Sequence, residues 1–146
     1  MQIRPATAED IDALSALFDG YRQFYRQRSD LGGARAFLGE RLARGESVVF
    51  LALDGGQAVG FAQLYPSFTS AGMARIFTLN DLFVRTDARG RGIGASLLRR
   101  AAALARGEGA VRLVLSTETT NAPAQALYER EGWQRDEAFL TYALRL

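Results

Sequence analysis

The sequence predicts an α/β fold, a mixed sheet with helices on both faces, in the order β-α-α-β-β-β-α-β-α-β(β). Three observations predict it. Two β-rich runs flank Asp54-Gly55-Gly56, a strong hairpin signal. An apolar strand, a glycine- and arginine-rich loop and an Ala/Leu-rich helix follow one another across residues 79–106. A near-continuous apolar run at 111–116 then returns as a strand, completing a β-α-β unit whose last strand is expected in the sheet centre.

The elements can be taken in order. Residues 1–5 start as a short strand. Thr7 is an expected helix N-cap with Asp10 three residues on. Ile11, Leu14, Leu17 and Phe18 recur at helical spacing, and Gly20 is expected to end this helix. An aromatic, arginine-rich stretch (Tyr21, Phe24, Tyr25) leads to a second helix over 33–44, with Gly45 as its stop. Strands are expected at 47–53 and 58–64, the latter halted by Pro66, with a loop at 67–72 and a fourth strand at 75–84. The third helix covers 95–106. A fourth covers 123–131, with Pro123 in its first turn and Gly132 just after it. Residues 133–146 are expected to supply the last strand or strands.

With 146 residues, 48% of them hydrophobic, the chain suits one domain over residues 1–146. There is no Cys, His or Lys, so all 18 basic residues are Arg. That excludes disulfides, Cys/His metal sites, Ser-His-Asp and Cys-His catalysis and Schiff-base lysines. A proton carrier must be Asp, Glu, Tyr, a terminus or water. The net charge is only +2 and the arginines are scattered, so no nucleic-acid partner is expected. No apolar run reaches the length of a membrane span and no signal-peptide pattern opens the chain, so a cytoplasmic protein without a membrane partner is expected.

The loop Arg89-Gly90-Arg91-Gly92-Ile93-Gly94 carries the chemistry. Glycines let backbone amides approach a ligand closely, and the first-turn amides of the following helix lack internal partners. Both suit a phosphate. The run from Gly90 to Ala95 also fits G-x-G-x-x-G/A, but residues 85–89 separate it from the strand, and that strand is the fourth. A Walker A loop needs a Lys the chain lacks. The plain alternative is a loop that merely turns the chain.

These residues resemble the acyl-CoA signature Q/R-x-x-G-x-G/A of the GCN5-related N-acetyltransferases. Asp81-Leu82-Phe83-Val84 is similar to that family's fourth strand. Asn121 through Tyr128, with Gly132-Trp133, is similar to its N-x-x-A-x-x-L-Y-x-x-x-G-F/W block, and Ile3-Arg4-Pro5-Ala6-Thr7 to a common opening. The resemblance covers the whole chain and implies the acyl-CoA N-acyltransferase fold, acetyl-CoA as co-substrate and no metal. It implies that Arg89, Gly90, Arg91, Gly92, Ile93, Gly94, Ala95 and Ser96 bind the cofactor's phosphates. Leu82, Phe83 and Val84 would pair with the pantetheine arm, and Asn121 would hold the cofactor's amide chain. Tyr128 would contact the cofactor and protonate the leaving thiolate, and the amide of Leu82 or Phe83 would be the oxyanion donor. Without the resemblance, Tyr128 reads as a core residue with its hydroxyl at the rim.

The polyamine branch of the family reads L-E-D-F-F-V on this strand, where the chain reads Leu79-Asn80-Asp81-Leu82-Phe83-Val84. Asn80 replaces the Glu and cannot act as a base, so it is expected to position the amine or a water. Strand alternation puts Asn80 and Leu82 on one face and Asp81 and Phe83 on the other. Asp81 therefore reads as a structural acid. Glu118 is another acid near the site, with a solvated loop as its plainer reading, and the base stays unassigned. Tyr21, Tyr25 and Asp30 are the expected acceptor-side residues. Aromatics there can face an ammonium, or can simply pack the first two helices together. The resemblance implies a small-molecule amine or a peptide N-terminus as the acceptor. A homodimer is expected by family analogy alone. The contrasting reading is a non-catalytic acyl-CoA-binding module on the same fold.

Overall fold

A computed structural model describes residues 1–146. Its strands are β1 (Gln2–Pro5), β2 (Val48–Asp54), β3 (Gln57–Thr69), β4 (Ala74–Val84) and β5 (Leu113–Val114). Its helices are α1 (Ile11–Phe24), α2 (Leu31–Ala43), α3 (Ile93–Gly107) and α4 (Ala122–Arg130). The chain divides into two compact units, Met1–Ser116 and Thr117–Leu146.

The first unit is a five-stranded mixed sheet in the order β1-β2-β3-β4-β5. The first four strands are antiparallel and β5 is parallel to β4. Helices cover both faces. Leu14, Leu17 and Phe18 of α1, with Ala34 and Leu38 of α2, pack on Val49, Leu51 and Phe61. Phe50, one residue out of phase, faces the other way, and Arg100 of α3 lies over its ring at 4.7 Å. The buried face of α3 is Ile93, Leu97, Leu98, Ala101 and Ala105, a helical stripe. Asp54-Gly55-Gly56 makes the β2–β3 turn, with φ of 58° and 83° at its two glycines.

Several elements run differently from their sequence reading. Gly20 does not end α1, which continues to Phe24. A Cβ at Gly20 would stand 3.2 Å from Phe83 Cζ. The glycine lets α1 approach β4 instead of stopping the helix. Pro66 does not halt β3. Its partner on β4 is Phe77, while β2 pairs no further than Leu64. Past Leu64, β3 is free on its β2 side, where a residue without an N–H is tolerated.

The run at 111–116 forms only the two-residue β5, half-buried at the sheet margin and not in its centre. Residues 133–146 form no strand. Within the second unit α4 is the only regular element, so an extended segment there has no ladder partner.

The α1–α2 connection is built around Asp19, 5% exposed. Its carboxylate accepts from Ser29 Oγ at 2.6 Å and from the Asp30 amide at 2.7 Å. The Ser29 hydroxyl chiefly holds its pKa below the usual carboxylate range. At the other end of α1, Arg4 grips Asp10 with both guanidinium nitrogens, at 2.8 and 2.9 Å. Asp10 in turn accepts the Thr7 amide at 2.8 Å.

Candidate functional site

The glycine loop turns as its composition requires. Gly90 and Gly92 have φ of 78° and 77°, left-handed values that other residues rarely adopt. Gly92 is the N-cap of α3, and its carbonyl accepts the Ser96 amide at 3.1 Å. The amides of Ile93, Gly94 and Ala95 precede any intrahelical acceptor, so they face outward from the helix start together with the positive end of its dipole. Ile93 anchors the loop, with 2% of its surface exposed. A Cβ at Gly90 or Gly92 would meet nothing within 4 Å, so the approach over both is open.

The two arginines of the loop are already engaged. Arg91 Nη2 pairs with Asp54 Oδ2 of the β2–β3 turn at 2.6 Å. That hydrogen bond first, and the guanidinium charge second, lower the pKa of Asp54. Arg89 donates through Nε to the Val84 carbonyl at 2.9 Å, and its guanidinium lies 5.7 Å from the ring centroids of both Phe24 and Phe83.

β4 offers an open backbone edge. Arg85 N–H bonds to Val59 O at 2.8 Å, so Phe83 and Asp81, at the same phase, turn their backbone groups into the β3 ladder. Leu82 and Val84 turn theirs to the opposite side, where β5 pairs only with Phe77 and Thr78. Leu82 is therefore the amide of the two expected oxyanion donors that points away from β3.

A bulge interrupts β4. Gln63 opposes Asp81 and Leu64 opposes Leu79, so Asn80 is an extra residue with no partner on β3. Asp81 and Phe83 share a face, as the alternation predicts, and the bulge breaks the pattern only before Asp81. Leu79 and Asp81 point to opposite faces despite being two apart. Asp81 falls on the α1–α2 face, in line with Gln63 and Val49. Asn80 is exposed at the bulge. Its carbonyl accepts the Tyr21 hydroxyl at 3.3 Å. The Tyr21 ring stands edge-on to Phe61 and Phe83 and 5.1 Å from Tyr25. The structure thus brings Tyr21, Tyr25, Asn80 and Asp81 to one end of the sheet.

Asp30 has a structural task. It is the N-cap of α2, and its Oδ1 accepts the Gly33 amide at 2.9 Å. Sequence reasoning missed Gln63, fully buried beside Asp81, although a lone amide inside Phe61-Ala62-Gln63-Leu64 was a visible signal. A cavity of about 390 Å³, lined by Ala6, Ile11, Gly39 and Leu42 among others, shares no residue with the loop or the bulge and carries no acid.

The second unit holds the other block. Asn121 Oδ1 accepts the Ala124 amide at 3.2 Å and caps α4. Gln125 Nε2 donates to the carbonyls of Glu118 and Thr119, each at 3.1 Å, which ties the chain before α4 to its first turns. Tyr128 is half-buried, with its ring 6.2 Å from that of Trp133, and its carbonyl accepts the Trp133 amide at 3.0 Å.

Comparison with known proteins identifies the family. The model of the acetyltransferase (GNAT) family matches residues 14–133. The chain is 48% identical over 146 residues to the uncharacterized N-acetyltransferase YhfO of Bacillus subtilis (strain 168), covering 100% of this chain and 98% of that one. It is 31% identical over 143 residues to the aminoalkylphosphonate N-acetyltransferase of Salmonella typhimurium, covering 98% and 91%. The crystal structure of a probable acetyltransferase superposes with a TM-score of 0.96 at 42% identity, covering 100% and 98%. The chain is therefore an acetyltransferase of the GNAT family.

Proposed function

We propose that this enzyme transfers an acetyl group from acetyl-CoA to a primary amine, by direct attack within a ternary complex. The observation that carries this reading is the left-handed pair Gly90 and Gly92 at the start of α3, together with the β4 edge at Leu82 and the Val84 amide, which β5 does not pair. Outward amides at a helix start suit the pyrophosphate, and a free strand edge suits the amides of the pantetheine arm. The amine nitrogen attacks the thioester carbon, the C–S bond breaks, and the thiolate takes a proton. Tyr128 is our choice for that proton donor, and the Leu82 amide for the group that stabilises the carbonyl oxygen. Direct transfer agrees with a chain that has no Cys to carry an acyl group.

Thiol release from acetyl-CoA, followed across a panel of polyamines, amino acids, aminoalkyl compounds and peptides, tests the reading. Turnover is expected with at least one primary amine. CoA binding without turnover across the whole panel would instead favour a binding module. Tyr128→Phe is expected to lower turnover at least tenfold with little change in acetyl-CoA affinity. An unchanged rate would remove Tyr128 from the proton-donor role.

A further inference from the structure

The bulge at Asn80 leaves a buried carboxylate that no arginine balances. Asp81 is 3% exposed, and its bonding partners are two neutral amides. Gln63 Nε2 donates to Oδ2 at 2.5 Å and Asn80 Nδ2 to Oδ1 at 3.0 Å. Behind it, Gln63 Oε1 accepts from Ser47 Oγ at 2.8 Å, and both of those residues are buried. The other groups facing this cluster are Tyr65 on β3, Tyr21 on α1, and Arg41 with Glu46. The last two are paired with each other at 2.8 Å. Burial first, and the charge of Asp81 second, push the Tyr65 phenol above its usual range, so it stays protonated.

A buried carboxylate held only by neutral donors is short of positive charge. Asn80 Nδ2 occupies its outer oxygen from an exposed position, where a substrate ammonium N–H can take its place. The inner partners suit a group that changes protonation. Against ionised Asp81, Gln63 donates with its amide nitrogen while Ser47 donates to the amide oxygen. Against protonated Asp81, the amide can turn over. Its oxygen then accepts the new O–H, and its nitrogen donates to the Ser47 hydroxyl oxygen. In the arrangement observed, no buried side-chain nitrogen or oxygen lacks a hydrogen-bond partner.

We propose that Asp81 accepts the proton of the acceptor ammonium, with Gln63 and Ser47 as positioning residues that satisfy it in both protonation states. This rests on the N-acetyltransferase reading above. In the step, an N–H bond of the ammonium breaks and an O–H bond forms on Asp81. The electron pair left on nitrogen attacks the thioester carbon. As the C–S bond breaks, the nitrogen loses a second proton, which balances the one Tyr128 gives to the thiolate. The proton on Asp81 passes to solvent after product leaves. Asn80 orients the amine through its remaining carboxamide oxygen.

The test is the pH profile of kcat/KM for the best amine of the panel, with acetyl-CoA affinity measured by calorimetry. Wild type is expected to lose activity toward acid pH. Asp81→Asn is expected to lower kcat/KM by about 100-fold and abolish that acid limb, leaving acetyl-CoA affinity within about threefold. Gln63→Glu keeps the shape and adds a carboxylate against Asp81, so the limb is expected to move up by about one pH unit. Asp81→Asn with the wild-type profile overturns the proposal. If Asp81→Asn does not fold, an unmoved limb in Gln63→Glu overturns it. Wild-type acetyl-CoA binding without acetylation of any amine would overturn the transferase reading, and this role with it.

Discussion

Gly92→Ala separates what the loop does for the fold from what it does for a ligand, because the molecule contains its own control. Gly92 and Gly109 flank α3 with nearly the same backbone, φ 77° and 75°. A Cβ at either would meet nothing within 4 Å. The cost of Ala in the free protein is therefore backbone strain alone at both positions, about 1–2 kcal/mol each. For a chain of this size that lowers Tm by roughly 3–6 °C in either variant. The two should diverge only when acetyl-CoA binds. A methyl at position 92 enters the open approach to the loop whose amides are proposed to bind phosphate. Losing one hydrogen bond to a charged group is worth about 1.5–3 kcal/mol, roughly tenfold to a hundredfold in Kd. Gly109→Ala should bind as wild type does. Scanning calorimetry and titration calorimetry read the two effects independently. Equal Kd for both variants, with equal loss of Tm, would refute the phosphate role of the loop. A wild-type Tm for Gly92→Ala would refute the strain argument.

Asp54→Asn removes the partner of Arg91 and a negative charge beside the loop. CoA is expected to bind roughly threefold more tightly at low salt, with the gain vanishing near 1 M salt. Weaker binding would mean that Asp54 holds Arg91 in its binding position. Arg4→Met tests the acid side of stability. Chiefly the Arg4 hydrogen bonds, with the Thr7 amide, lower the Asp10 pKa from 3.8 to about 2, so the pair stabilises the folded state fully above about pH 4. That contribution is lost as pH falls through 2. Urea titrations at pH 6 and pH 2.5 should therefore show a smaller wild-type to Arg4→Met difference at the lower pH. A constant difference would rule out the linkage.

What was legible in the sequence was what depends on neighbours in the chain. Glycine spacing at 90–94, the Asp54-Gly55-Gly56 turn and the stripes of α1 and α3 each specify a local conformation, and each appears where it was expected. What was hidden depends on distant partners. Gly20 looks like a helix stop until Phe83 is seen against it, and Pro66 looks like a strand stop until β2 is seen to end at Leu64. The apolar stretches at 111–116 and 133–146 read as strands from composition, but strand formation needs a ladder partner. At the candidate site, the backbone conformation of the loop and the strand before it could be read directly. The placement of Asp81 could not, because a bulge leaves no local mark in Leu79-Asn80-Asp81. The amide of Gln63, the group that gives Asp81 its setting, lies 18 residues away.

That bulge has an evolutionary consequence. Leu79 already opposes Leu64, and Asp81 already opposes Gln63. Excising Asn80 would close β4 into a regular ladder without moving a core side chain from one face to the other. The outward lip beside Asp81 is thus the work of a single codon. Such a feature can be gained or lost in one genetic event while the scaffold folds as before.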